Sequence, residues 1–87
     1  MKAKVNVHVR YFAALREALG AGETVAVDAG ATLGSLRDAL LARGGVHAQA
    51  LARGRAVRCA LNQVMADESA LLADGAEVAF FPRVTGG

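Results

Sequence analysis

With ten Lys and Arg against eight Asp and Glu, this 87-residue chain carries a net charge of only +2, too small an excess to hold nucleic acid through a broad positive field. A chain of this length makes one domain that buries about 60% of the surface its unfolded form exposes, and leaves no room for a catalytic cleft between domains. One cysteine excludes an internal disulfide and fits a reducing compartment. The charged, alternating start Met1-Lys2-Ala3-Lys4-Val5 reads as neither a signal peptide nor a membrane span, so the expected location is cytoplasmic.

Val5, Val7 and Val9 alternate with Lys4, Asn6, His8 and Arg10, a period of two that predicts a half-buried strand over 3–10. From Phe12 the period changes. Phe12, Leu15 and Leu19 fall three and four apart among good helix formers, predicting a short helix that Gly20 and Gly22 stop. Glu23 to Asp28 alternates again as a second strand, and 28–31 reads as a loop. Thr32 is placed to cap the main helix, whose apolar face is Leu33, Leu36, Leu40 and Leu41, with Arg37, Asp38 and Arg43 off that face. Gly44-Gly45 ends it. Residues 46–53 read as a further helical turn or two, stopped at Gly54. Val57, Cys59 and Leu61 alternate with Arg58, Ala60 and Asn62 to give a third strand, and Asn62-Gln63 turns it into a short fourth at Val64-Met65. Ser69 to Leu72 reads as a helical turn, Asp74-Gly75 as a turn, and Glu77 to Phe81 as the last strand.

The hydrophobic fraction of 54% is rich in alanine, so the core rests on few Val, Leu and Phe. One amphipathic helix of about ten residues beside a set of short strands predicts an α+β domain in two layers, the sheet wrapped over the helix.

The chain ends on Phe80-Phe81-Pro82-Arg83-Val84-Thr85-Gly86-Gly87. Two glycines add nothing to a fold, because ordering them costs the most backbone entropy; they read either as a frayed end or as a thin thread for a narrow slot. From Arg83 to Gly87 an extended chain projects about 17 Å, and Pro82 favours a straight exit by fixing its own φ and biasing Phe81 toward extended geometry.

The stretch from Asp74 to Gly87 resembles the C-terminal signature of the small subunits of molybdopterin synthase, a family of ubiquitin-like sulfur carriers. The likeness reaches upstream to Leu61-Asn62-Gln63 and Arg10-Tyr11-Phe12-Ala13. It implies a ubiquitin-like β-grasp fold, a mixed sheet packed on one main helix, with first and last strands parallel at its centre. The body is then 1–81 and the extended tail 82–87. It also implies that a ubiquitin-activating-like adenylyltransferase uses ATP to adenylate Gly87, and that a sulfur source displaces AMP to leave a thiocarboxylate. That sulfur goes to cyclic pyranopterin monophosphate in the large synthase subunit, within a heterotetramer of two small and two large subunits. The chain itself binds no cofactor and is a non-catalytic carrier whose partner brings the active-site groups; neither nucleic acid nor a membrane is an expected partner. The family commonly has a second proline where this chain has Arg83, which removes one restraint and adds a charge.

Gly87 and Gly86 are thus the candidate reactive residues, with Phe81, Pro82, Arg83, Val84, Thr85, Ala60 and Ala79 as candidate partner contacts. If Val78 and Phe80 enter the core, Ala79 and Phe81 face outward, and Phe81 lies beside Ala60 as an exposed docking patch. Cys59 has the chemistry of a nucleophile or sulfur relay, but its alternation with Val57 and Leu61 points it inward as a small hydrophobe. His8 and His47 have no metal-site spacing. Arg53, Arg55 and Arg58 form a basic cluster that suits either solvent or an acidic partner. Two rival functions share the same tail chemistry: a carrier for thiazole synthesis or another thiolation route, and a protein modifier joined to lysines.

Overall fold

The computed structural model describes residues 3–54 and 57–82. Val7 and Val9 of β1 (Lys4–Tyr11) are wholly buried while Lys4, Asn6, His8 and Arg10 stay exposed, as strand alternation requires. A short helix α1 (Ala14–Leu19) follows, then β2 (Gly22–Asp28), the main helix α2 (Leu33–Leu41), a six-residue helix α3 (Gly45–Ala50), β3 (Val57–Leu61), β4 (Val64–Met65) and β5 (Glu77–Pro82). The sheet order is β2-β1-β5-β3-β4. β1 and β5 run parallel at its centre and the remaining pairs are antiparallel. This is the α+β, β-grasp arrangement the tail signature implies.

The core lies between the sheet and α2. Leu33, Leu36 and Leu40 are fully buried against Val7, Val9, Val78, Phe80 and Tyr11. Thr32 caps α2 as its sequence position predicts: its hydroxyl accepts from the Ser35 N–H at 3.1 Å, and Ser35 Oγ accepts from the Thr32 N–H at 3.0 Å. Two orphan donors are satisfied reciprocally.

Several expectations fail for definable reasons. Phe12 does not join the apolar face of α1. The helix begins two residues later, Ala13 takes φ 52°, and Phe12 stays 39% exposed while Leu15 is buried. Gly20, at φ 94°, ends α1, but Gly22 opens β2, where a Cβ would clash with the Val9 carbonyl oxygen. Arg37 is buried rather than off the apolar face: its Nε donates to the Leu51 carbonyl at 2.7 Å and an Nη to that of Ala52 at 3.0 Å. A charge is tolerated there because its donors are used on carbonyls beyond the end of α3. Ser69 to Leu72 is no helical turn. Asp67 Oδ1 accepts from both the N–H and the hydroxyl of Ser69, a local bond that competes with helix formation, and Leu71 then bridges to Thr32.

Candidate functional site

Because β5 lies between β1 and β3, its backbone is tied down on both sides as far as Phe80, and on the β3 side as far as Pro82. Pro82 pairs with Val57, so the strand runs one residue past its predicted end. Val78 and Phe80 point into the core with no exposed surface. Ala79 and Phe81 therefore face the other side of the sheet, as the alternation predicts.

The register sets their neighbours. Across four strands, Arg10, Ala79, Ala60 and Met65 stand in one row, and in the next row Phe81 lies opposite Arg58. Ala60 is thus the direct partner of Ala79 rather than of Phe81. It is only 7% exposed although it lies outside the core cluster, so neighbours on the outer face enclose it. Phe81 is half-buried rather than exposed. Met65 is 51% exposed, and the Phe12 ring lies 5.6 Å below the Arg10 guanidinium carbon. The result is an apolar strip of Ala60, Ala79, Phe81 and Met65 with an arginine on either side of β5.

Arg10 and Met65 escaped the sequence reading, although signals for both exist. Arg10 has the outward parity of β1. Asn62 and Gln63 form a two-residue loop with both φ values positive, 50° and 70°, the hairpin geometry that fixes Met65 opposite Ala60. Gly86, Gly87, Arg83, Val84 and Thr85 lie outside the described residues.

The basic cluster of the sequence divides. Arg53 is committed, with an Nη 2.6 Å from Asp38 Oδ1 and the other 2.6 Å from Glu68 Oε1; its bond to Glu68 holds that carboxyl below its usual range. Arg55 lies outside the described residues. Of the two that are described, Arg58 is the one on the outer face, opposite Phe81. Cys59 points inward opposite Phe80, and burial pushes its thiol up, which disfavours the thiolate a relay needs.

On the core face of the sheet, Glu23 gathers groups from two other elements and the loop after α2. Its carboxylate accepts from the Tyr11 hydroxyl at 3.1 Å and from Arg43 at 2.8 Å, with His47 Nε2 3.7 Å away. Partial burial pushes the Glu23 carboxyl up, but Arg43 and the remaining donors outweigh it and hold it below its usual range. Burial, with Glu23 beside it, pushes the Tyr11 phenol far up. This cluster fastens α3 to the sheet. Among the described residues no group of His, Cys, Asp or Glu is disposed to hold a metal ion, and no helix is long and apolar enough to cross a membrane.

A model of the ThiS family matches residues 9–87. The chain is 39% identical over 85 residues to the molybdopterin synthase sulfur carrier subunit of Mycobacterium tuberculosis, an alignment covering 95% of this chain and 99% of that one. Among solved structures it is similar to the small archaeal modifier protein 1 of Haloferax volcanii, with TM-score 0.74, 29% identity and coverage of 92% and 99%. It is also similar to a chain in a complex of subunits 1 and 2 of the molybdopterin-converting factor from Helicobacter pylori, with TM-score 0.63, 28% identity and coverage of 95% and 100%.

Proposed function

The chain belongs to the ThiS family, and from that premise we propose that it is the sulfur carrier subunit of a molybdopterin synthase. The single observation that carries this reading is the placement of β5. Held between β1 and β3 as far as Phe80 and by β3 alone to Pro82, it ends beside an apolar strip, so a partner seated on the strip lies where the 82–87 tail departs.

The chemistry is dictated by the terminal carboxyl of Gly87. As a carboxylate, with an ordinary pKa of about 3.3–3.7, it is ionised at neutral pH and resists nucleophiles. A partner adenylyltransferase makes it an electrophile: the carboxylate oxygen attacks the α-phosphorus of ATP, pyrophosphate leaves, and an acyl-adenylate forms. A sulfur nucleophile displaces AMP and leaves the thiocarboxylate. Its polarisable sulfur then attacks a carbon of cyclic pyranopterin monophosphate in the large subunit, displacing an oxygen substituent, and water cleaves the resulting thioester, which leaves the sulfur on the pterin and Gly87 as the carboxylate. Gly86 keeps the thread free of a side chain next to the reacting carbon. ATP belongs to the adenylating partner, and the pocket and acid–base groups to the large subunit. Phe81, Ala79 and Ala60 supply the docking strip, and Pro82 to Thr85 line the partner's channel. The complex works in the cytoplasm as two small and two large subunits.

The test is the intact mass of the protein after incubation with its adenylating enzyme, ATP and a sulfur donor. A gain equal to the difference between one sulfur and one oxygen atom supports the reading, and an unchanged mass sinks it. The likeness to an archaeal modifier protein favours one second reading, attachment to lysines through an isopeptide bond. That reading predicts high-mass conjugates in cell extract that vanish when Gly87 is removed.

A further inference from the structure

We infer that Arg10 and Arg58 are specificity-determining residues that pair with two carboxylates of the large subunit, one on each side of the Ala79–Phe81 strip. The inference rests on the carrier reading above. Arg10 stands on β1 level with Ala79 and Arg58 on β3 level with Phe81, on either side of β5, which sets their backbones about 12 Å apart. Both side chains leave the same face of the sheet, and between them lie only Ala79 and Phe81 in the two paired rows.

What separates these two arginines from most other cations of the fold is that, among the described residues, neither has a carboxylate oxygen within hydrogen-bond reach. Lys4, Arg43 and Arg53 each have a carboxylate oxygen within 2.8 Å, and Arg37 is spent on carbonyls and Glu68. Among the described residues Arg58 makes no ion pair. The closest carboxylate to Arg10 is Glu77 at 3.9 Å, beyond hydrogen-bond reach, and the Arg10 side chain remains 57% exposed. Stacking on the Phe12 ring nevertheless holds the Arg10 head against the patch instead of letting it swing into solvent. Arg16, on α1, is also without a carboxylate partner among the described residues but is not on this face.

The apolar strip makes these charges selective. A partner that covers Ala79, Phe81 and Met65 removes water from the border of the patch, where an ion pair is worth more than on an open surface. A partner without carboxylates there strands two guanidinium groups at a drying interface and is rejected by their desolvation. The occupant that fits is a protein face with an apolar centre flanked by two acidic side chains, spaced to meet arginines whose backbones stand about 12 Å apart.

The experiment measures association of the full-length carrier with the large subunit encoded in the same genome, at about 50 and about 500 mM salt. The variants are Arg10→Glu, Arg58→Glu, the double reversal, the double neutral change to Gln, and Phe81→Ala. The double reversal is expected to slow association at least about tenfold at low salt, with the deficit shrinking at high salt and the Gln pair intermediate. Phe81→Ala should weaken binding by a similar factor at both salts. Thermal melts of each variant check that the fold is retained. A double reversal within about twofold of the parent at low salt would overturn the inference. So would unchanged binding to the large subunit with impaired sulfur loading, since the carboxylates would then belong to the adenylating enzyme. If the unmodified carrier neither binds the large subunit nor takes up sulfur, the carrier reading itself falls.

Discussion

Tyr11 and Phe80 stack across the parallel β1–β5 pair, with ring centroids 6.1 Å apart and planes 20° from parallel. The stack joins the first strand to the last one at the residue two before Pro82, so it supports the end of β5. Phe80 is fully buried. Phe80→Ala should therefore cost about 3–5 kcal/mol of stability through lost burial and the cavity left behind. Urea unfolding monitored by circular dichroism checks this, and a loss below about 1 kcal/mol would mean the stack does not anchor β5.

Arg37 makes a different prediction because it is buried and charged. Arg37→Met keeps most of the stem but leaves the Leu51 and Ala52 carbonyls without their donors. A buried acceptor left unpaired costs about 1–3 kcal/mol, so the variant should unfold at lower denaturant. Amide exchange should speed up first in α3 and residues 51–54, the segment the guanidinium holds. Uniform acceleration across the sheet would contradict that local role.

Acid should weaken the fold partly through Glu23. Its carboxyl is held below the ordinary value of 4.5 in the folded protein. The unfolded chain therefore takes up the proton first, and the stabilisation is fully present above that value and lost as pH falls through the folded pKa. The melting temperature should decline below about pH 4.5, and Glu23→Gln should start lower at neutral pH but decline less steeply. Glu68 and Asp67 are also held low, so the slope should shrink without vanishing. An identical slope in the variant would exclude Glu23 as a contributor.

Cys59 separates a sulfur relay from a packing role. It is buried, with its thiol pushed up, so a thiol reagent should label it only as fast as the protein opens. Cys59→Ala should still accept sulfur at Gly87 at the parental level. Loss of sulfur loading in a folded Cys59→Ala protein would restore the relay.

Deleting Gly86-Gly87 tests the division of labour between body and tail. The shortened protein should melt within about 2 °C of the parent, since the core of Val7, Leu36, Val78 and Phe80 is untouched. It should bind the large subunit through the Ala79–Phe81 strip yet gain no sulfur. A large drop in melting temperature would mean that the last residues contribute to the fold.

What the sequence by itself determined is whatever depends on local covalent geometry. Alternation along Val5-Val7-Val9 and Val78-Phe80 assigned the faces of the central strands, leucine spacing assigned α2, and Thr32, Asn62-Gln63 and Asp74-Gly75 assigned a cap and two turns. These signals work because the two-residue and 3.6-residue periods arise within each segment. What only the tertiary structure decided are the meetings between segments far apart in the chain. Arg37 reads as a surface residue until carbonyls 14 and 15 positions away come within reach of it. Phe12 and Leu19 share a helical spacing with Leu15, but one positive φ at Ala13 takes Phe12 out of phase. The Glu23 cluster joins residues 12 and 20 positions distant, and the Arg10–Ala79–Ala60–Met65 row exists only because β5 inserts between β1 and β3. No periodicity records which strand will be a neighbour, since that is settled by the whole core packing at once.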